Sequence, residues 1–404
     1  MNIGMILNGE FPPDIRVEKE CDVLLKAKLN VFILSCVKGL RSNTKREKKY
    51  KNITICYTAF RYPDKVRKNL DNVKNFLGMW TLLQKKILQF IDEYGIDVIH
   101  AHDLPVAEAT VKAIRKRKIP VVSDFHENYP YLQISGKKKS IIKFRKWFKI
   151  ERRTVRASNF VITTCDEMKN RIINEHRTHP QKIITLSNVY ANEFNNLKLH
   201  ESILNKYKQR KMFLYTGVIN QRKGCKTLIE AVYYLKKHPE ILLCLVGFSK
   251  NNEKMKKLQD LVSFGKIENQ IEFVEWQPID KIYSYIIASY ACIVPFERNV
   301  QNDCCSPHKL FQYMACGKPV IVSDCPSIAN IVDRNHCGLV FEGGNSKNLA
   351  EKMLALYTDN QMCILMGENG RNAVKNKYNF RIEGEKLLNL YREIANSLCY
   401  NKKE

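Results

Sequence analysis

Short apolar runs and longer amphipathic stretches alternate along the chain, and the alternation occurs twice. In the first half, strands are expected at residues 3–7, 31–36, 53–57, 98–100 and 121–125, followed by the runs FVITT and KIITL. Between them, helical periodicity covers 15–29, 73–94, 105–117 and a basic stretch at 137–153. In the second half, strands are expected at 212–217, 241–247, 271–276, 291–296, 319–324 and 338–342, with a loop at 297–305. The helices there cover 223–237, 278–288 and 307–316, and residues from 346 onward are mostly helical. Apolar β-rich runs without strict alternation mark strands covered on both faces. Such strands belong to parallel sheets whose crossovers are helices.

This pattern predicts an α/β chain of two Rossmann-like, doubly wound parallel-sheet domains facing a central cleft. Residues 188–210 are polar and pattern-poor, so the boundaries expected are a domain at 1–190, a linker at 191–210 and a second domain at 211–380. A final helix at 381–404 is expected to cross back to the first domain. Ligands of open parallel sheets bind beyond the carboxyl ends of the strands. The loops after Leu7, Phe125, Gly217, Gly247, Trp276 and Phe296 therefore carry the expected site.

With 404 residues and 45% apolar side chains, the chain can bury two cores, which excludes a disordered or collagen-like polymer. Its 14 cysteines contain no C-x-x-C and read as buried thiols of a reducing compartment, so a cytoplasmic location is expected. The opening MNIGMIL lacks a basic leader and reads as a strand. No run of 18 apolar residues exists to span a bilayer. The 67 Lys and Arg exceed the 41 Asp and Glu by 26, with the excess concentrated in runs at 41–51, 115–118 and 137–153. Such runs attract polyanions but are also ordinary solvated surface. In KKKSIIKFRKWFKIERR, lysines interleave with Ile141, Ile142, Phe144, Trp147, Phe148 and Ile150. That mix suits a helix on an anionic membrane surface, and equally an amphipathic helix packing its aromatic side on the sheet.

Several chemistries fail on spacing. No G-x-G-x-x-G or P-loop occurs, no Asp-x-Asp offers a metal site for a nucleotide sugar, and no cluster has zinc spacing. Ser306 and Lys309 have the S-x-x-K spacing of acylating serine enzymes but lack the companion motifs. What stands out is Ser306-Pro307-His308-Lys309-Leu310-Phe311: an N-cap serine and a first-position proline starting a helix that Gly317 and Pro319 stop. The helix start is an anion site, and Lys309 adds charge to it. Arg222 and Lys223 stand at the start of the helix after the 212–217 strand. Two cationic helix starts on neighbouring loops suit a diphosphate.

These residues carry a resemblance. SPHKLFQYMACGKPVIVSD resembles the donor-site signature of glycosyltransferase family 4, of the GT-B fold, and GEFPPDIRVEKE resembles its acceptor-side loop and helix. IHAHDLPVAEA, VVSDFHENYP and GVINQRKGCKTLIEA match further landmarks in order. The resemblance implies retaining sugar transfer from a nucleotide diphosphate sugar to a glycan or lipid-linked acceptor, in surface polysaccharide or lipopolysaccharide synthesis, with no obligatory metal or other cofactor. By position, Lys223, Lys309 and Ser306, with the amides of Leu310 and Phe311, would hold the diphosphate, Gly217 would open the phosphate loop, and Arg222 would add charge. Gly247, Trp276, Gln277 and Gln312 would hold the nucleoside. His126 aligns with the active-site histidine, while Gly9, Glu10 and Arg16 lie on the acceptor side. His100 and His102 read as its structural neighbours.

The sequence also departs from the family. A Glu-x7-Glu pair common in it is Cys304 and Gln312 here, and the usual Arg after the phosphate-loop glycine is Val218. The amide of Gln312 can still bond a ribose hydroxyl. A nucleotide-sugar epimerase of the same shape is the alternative, and the missing glutamates count against it. Nucleic acid is not an expected partner, because no aromatic-and-basic recognition module appears.

Overall fold

The computed structural model describes residues 1–37, 46–59, 70–135, 140–220, 223–247 and 252–401. The chain divides into two units, Met1–Ser187 with Glu383–Glu404, and Asn188–Ile382.

The first unit runs β1 (Asn2–Leu7), α1 (Ile15–Lys26), β2 (Asn30–Val37), β3 (Arg46–Tyr50), β4 (Ile53–Ala59), α2 (Leu70–Tyr94), β5 (Val98–His102), α3 (Leu104–Ala113), β6 (Val121–Phe125), α4 (Tyr129–Leu132), α5 (Ile141–Ala157), β7 (Phe160–Thr163), α6 (Asp166–His176) and β8 (Ile183–Thr185). Its eight strands lie in the order β3-β4-β2-β1-β5-β6-β7-β8. Every pairing is parallel except β3 with β4. Strand β3, REKKY, is absent from the sequence-based expectation because it has no apolar run. It forms the antiparallel edge, where lysines discourage pairing with another chain. The sheet grows outward in both directions from β1, so β1 and β5 flank the switch point where a doubly wound sheet opens for ligands.

The second unit runs α7 (Glu201–Tyr207), β9 (Lys211–Thr216), α8 (Cys225–Val232), β10 (Ile241–Val246), α9 (Asn252–Gly265), β11 (Ile271–Val274), α10 (Ile279–Ala288), β12 (Ala291–Val294), α11 (Val300–Asp303), α12 (His308–Ala315), β13 (Val320–Ser323), α13 (Pro326–Asn335), β14 (Gly338–Phe341), α14 (Ser346–Thr358) and α15 (Asn360–Asn376), and α16 (Phe380–Asn401) ends the chain. Its six strands are all parallel, in the order β11-β10-β9-β12-β13-β14, with the switch point between β9 and β12.

Three differences from the pattern have simple causes. Residues 191–210 contain α7, and Val189, Tyr190, Phe194, Ile203 and Tyr207 are buried in the second unit's core. Their apolar positions are too widely spaced to show a period. The 297–305 loop holds the single turn α11, whose cap is Asn299 accepting from the Asn302 amide. The basic helix runs later than expected, over Ile141–Ala157, because Ser140 caps it through the Lys143 amide. Within the first unit, α16 buries Leu387, Leu390, Tyr391 and Ile394 with residues of β1 and β2, and Glu383 accepts from the Ser187 amide at 3.1 Å.

On α5 the aromatic side faces inward. Trp147 is buried edge-on against Tyr129, Phe144 meets Tyr131, and Phe148 meets His176. Behind them, Arg171 donates both terminal nitrogens to Glu151 at 2.8 Å, and His176 Nε2 lies 2.6 Å from the same carboxylate.

Candidate active site

The first unit gathers a charged cluster at its switch point. Asp14 caps α1 by accepting from the amides of Arg16 and Val17, which fixes the helix's rotation. The i,i+4 spacing then stacks Arg16 on Glu20, 3.2 Å apart. Strand alternation turns His100 and His102 to one side of β5, and the parallel register sets His102 beside Asp124 of β6. Arg16 donates from Nε and Nη2 to the two oxygens of Asp124, both at 3.0 Å, and from Nη1 to the Leu186 carbonyl. The Arg16 guanidinium, expected on the acceptor side, is 10% exposed and holds Asp124 in place.

His126 follows two residues after Asp124. Its Nε2 lies 3.1 Å from Asp124 Oδ2 and 3.2 Å from His102 Nδ1. Burial by itself would lower the His126 pKa, but the facing carboxylates of Asp124 and then Asp103 hold it up at about 9. Burial and the neighbouring His100 push His102 well below the ordinary histidine value. Burial opposes the Asp124 charge, yet Arg16 and His126 keep that carboxyl well below its usual range. The arrangement is an imidazolium held by an ionised carboxylate, with a neutral imidazole on its other side. Asp103 starts α3 with a φ of +70°, a strained value for a non-glycine residue, and its amide donates to the Asp124 carbonyl at 2.7 Å. Tyr391 of α16 lies 2.9 Å from His100 Nδ1. Gly9 and Glu10 are exposed in the loop after β1, where the Gly9 carbonyl accepts from Ser35.

The sequence reading missed Asp124, Asp103 and Glu20 and took His100 and His102 as neighbours only. Signals were present in the i,i+4 Arg/Glu pair and the two i,i+2 pairs, His100/His102 and Asp124/His126. Among the described residues, the donor atoms of Glu20, His100, His102 and Asp124 lie within 4.8 Å of one another, as do those of Glu151, Glu175 and His176. In each group a guanidinium of this chain, Arg16 or Arg171, already meets the carboxylates.

The second unit gathers two lysines beyond the ends of β9 and β12. Gly217 leaves β9 with φ +124° and Gly247 leaves β10 with φ +157°. A Cβ on Gly247 would lie 1.8 Å from the Gly217 carbonyl oxygen, and one on Gly217 would lie 2.8 Å from Lys309 Nζ. Two strand ends thus stay bare so that backbone and a lysine can crowd together. Lys309 Nζ lies 3.9 Å from the centre of the Tyr215 ring and donates to the Thr216 carbonyl. Lys223 Nζ stands 4.5 Å from the centre of the Phe296 ring just after β12. Burial and then the Lys223 charge lower the Lys309 pKa to about 7. A half-buried lysine with a second lysine nearby and, among the described residues, no carboxylate partner is poised for an anion.

Other expected donor-site residues differ in detail. Helix α12 starts at His308 with Pro307 as cap residue, and Ser306 supplies no capping bond. The Ser306 hydroxyl is buried without a partner, and its carbonyl accepts from Asn188. The Leu310 amide, expected at the diphosphate, donates to the Pro307 carbonyl at 3.0 Å. Phe311 is buried within the helix, and Gln312 is 8% exposed one turn into it. His308 turns to Glu193, 2.8 Å away. Trp276 is 64% exposed after β11, and Gln277 donates to the Glu275 carbonyl. Arg222 lies outside the described residues, as do residues 41–45 and 137–139 of the basic runs.

Two family models match the chain. Glycosyltransferase Family 4 covers residues 30–190, and Glycosyl transferases group 1 covers residues 198–373. The chain belongs to the GT-B glycosyltransferases of family 4. As a member it is a sugar-transferring enzyme. It is 25% identical over 79% of its length to a glycosyltransferase of Methanocaldococcus jannaschii, covering 82% of that protein. It is 22% identical over 81% of its length to an Escherichia coli UDP-Gal:alpha-D-GlcNAc-diphosphoundecaprenol alpha-1,3-galactosyltransferase, covering 81% of it. Among solved structures, Anabaena HepE in complex with UDP and glucose superposes with a TM-score of 0.74 at 15% identity, over 97% of this glycosyltransferase and 100% of HepE. Among the described residues, no helix is long and apolar enough to cross a membrane.

Proposed function

We propose that this glycosyltransferase moves a sugar, with retention at the anomeric carbon, from a nucleotide diphosphate sugar to a hydroxyl of a lipid-linked or growing glycan in surface polysaccharide synthesis. The observation that carries the donor assignment is Lys309, half-buried with its Nζ against Tyr215 and beside two bare strand ends, with Lys223 on the neighbouring turn. The Escherichia coli relative, a galactosyltransferase acting on alpha-D-GlcNAc-diphosphoundecaprenol, supports the lipid-linked acceptor. The UDP complex of HepE supports a uridine diphosphate donor.

In this reading the C1–O bond to the diphosphate breaks as positive charge spreads over C1 and the ring oxygen. The negative charge growing on the leaving phosphate is met by Lys309 and Lys223, fixed before the reaction begins. The leaving phosphate takes the proton of the incoming hydroxyl on the same face, so retention needs no enzyme nucleophile. In the first unit His126, held as imidazolium by Asp124, can donate a hydrogen bond and does not serve as a base. The two lysines supply the charge that a metal would otherwise bring, so a resident metal is not required.

Thermal-shift measurements against a panel of nucleoside diphosphates test the donor reading. A ligand at a hundredfold excess over Kd stabilises by about 2.7 kcal/mol. A uridine diphosphate shift in the parent chain that is lost in Lys309→Ala is expected, and equal shifts in both would defeat the reading. Release of labelled sugar onto a polyprenyl-diphosphate sugar tests the acceptor.

A further inference from the structure

The segment 295–307 joins β12 to α12, and its two ends meet the two lysines of the donor site. At its start, the Phe296 ring faces Lys223 Nζ. The Pro295 carbonyl oxygen would lie 1.6 Å from a Cβ on Gly224, so the end of β12 and the start of α8 are in close contact. Just past its far end stands Lys309, the second residue of α12. The separation of the two ammonium groups is therefore set by the conformation of this segment. Apart from the single turn α11 it contains no helix or strand, and conformational entropy opposes the ordering of such irregular backbone.

Side chains supply what secondary structure does not. On the inner side, the buried Asn302 donates from its amide to the Glu297 carbonyl at 2.7 Å, and Asn299 donates to the same oxygen at 3.0 Å. The Ser327 hydroxyl donates to the Cys305 carbonyl at 2.7 Å. On the outer side stands Arg298. It donates from Nε and Nη2 to the two oxygens of Asp303, at 2.8 and 3.3 Å, and from Nη1 to Asp324 Oδ2 at 3.0 Å. The other oxygen of Asp324 accepts from the Gly343 amide at 2.9 Å. Asp324 follows β13 and Gly343 follows β14, the next two strands of the sheet. One guanidinium thus ties the segment after β12 to the ends of both.

Exposed ion pairs ordinarily contribute little, and the Arg298 side chain is 42% exposed. Three features separate this one from such a pair. The contact with Asp303 is a two-pronged fork, which fixes the orientation of both groups. The Asp324 carboxylate is anchored on both sides, by the guanidinium and by a backbone amide from another strand end. A bare Gly343 gives the fork its room, since a Cβ there would lie 3.0 Å from Arg298 Cγ and 3.0 Å from Asp324 Oδ1. By contrast, Lys257 and Glu253 form an exposed contact within the single helix α9.

We propose that Arg298 is a positioning residue for the donor site: its fork on Asp303 and Asp324 fixes the segment 297–306 and so the separation at which Lys223 and Lys309 meet a diphosphate. This deepens the proposed function, and it rests on the donor reading for the ligand that the two lysines meet.

Three variants of the full chain provide the test: Arg298→Met, Asp324→Asn and, as a control for losing any exposed ion pair, Lys257→Met. Hydrogen exchange without ligand reads the segment, and calorimetry well below the melting temperature reads the affinity for uridine diphosphate. Arg298→Met and Asp324→Asn are each expected to speed exchange across 299–306 by about fivefold. Each is also expected to weaken uridine diphosphate binding by about two- to tenfold, because the ligand must then order the segment itself. Lys257→Met should change neither. The Lys309 titration, followed by NMR and assigned with Lys309→Arg, should move up from about 7 in Arg298→Met as burial relaxes. The proposal is overturned if exchange across 299–306 is parental in Arg298→Met, or if exchange quickens while nucleotide affinity and the Lys309 titration stay parental. It is also overturned if Arg298→Met weakens binding and Asp324→Asn does not, since the guanidinium would then touch the ligand itself. A parent chain that binds no uridine diphosphate counts against the donor reading alone, and exchange with the Lys309 titration then decides the positioning role.

Discussion

Asp124 Oδ2 lies 3.1 Å from His126 Nε2, while both oxygens of that carboxylate accept from Arg16 at 3.0 Å. One buried carboxylate therefore orders a guanidinium from α1 and sets the charge of the histidine two residues after it. The balance of burial against the Asp124 charge, and not the histidine's own chemistry, keeps the imidazolium protonated up to about pH 9.

Replacing Asp124 by Asn is expected to lower the His126 pKa from about 9, because burial is then opposed chiefly by Asp103 alone. The alkaline limb of the pH–rate profile should move down with it, as should the imidazole titration followed by NMR. The same substitution leaves Arg16 buried without its main partner and should cost about 3–5 kcal/mol in unfolding free energy. An unmoved alkaline limb in a folded variant would show that His126 does not need to be charged.

The same pair also predicts how stability depends on pH. A histidine whose pKa is raised by folding stabilises fully below its unfolded value, near 6.5, and that stabilisation is lost as pH rises through about 9. Thermal midpoints should decline over this window in the parent chain and decline less in His126→Gln.

Donor binding should take up a proton. Lys309 has a pKa of about 7 and is partly neutral at pH 7.5, whereas a diphosphate against Nζ favours the charged form. Affinity for uridine diphosphate should therefore weaken above pH 7, by up to about tenfold per pH unit, until the bound-state pKa is reached. Calorimetry in buffers of different ionisation enthalpy measures the uptake. A flat pH profile would mean that Lys309 does not touch the phosphates, and Lys309→Met should lose about 1.5–3 kcal/mol of binding.

Gly247 and Gly9 should respond differently to alanine. At Gly247 the φ of +157° and the Gly217 carbonyl 1.8 Å from the new Cβ should lower thermal stability and abolish nucleotide binding together. At Gly9 nothing lies within 4 Å of a new Cβ, so Gly9→Ala should leave the melting temperature unchanged. Differential scanning calorimetry with and without uridine diphosphate distinguishes the two.

Away from the site, Glu151→Gln should cost about 3–5 kcal/mol, because Arg171 and His176 both depend on that carboxylate. Chemical denaturation measures the loss, and donor binding should survive it at low temperature.

Much of the architecture was legible in the chain. Strands such as VVSDF and ILLCLV are buried on both faces, so their composition alone shows a parallel sheet. The cationic turns at Lys223 and Lys309 were legible because each lies at or just before the start of a helix. Strand β3 and helix α7 were not legible, since an edge strand of charged residues and a seven-residue helix have no period to detect. The cap of α12 was misread by one residue: the helix starts at His308 with Pro307 as its cap residue, and the Ser306 hydroxyl makes no capping bond.

Local composition and period thus determined the alternation of elements, the parallel sheets and the placing of lysines at two strand ends. Only the tertiary structure decided that Arg16 meets Asp124, 108 residues away, and that the aromatic residues and Ile150 of α5 face inward while Ile141 and Ile142 face out. The physical reason is that a charge chooses its partner, and an amphipathic helix its buried face, by the register and rotation of elements distant in the chain, which no short window of residues contains.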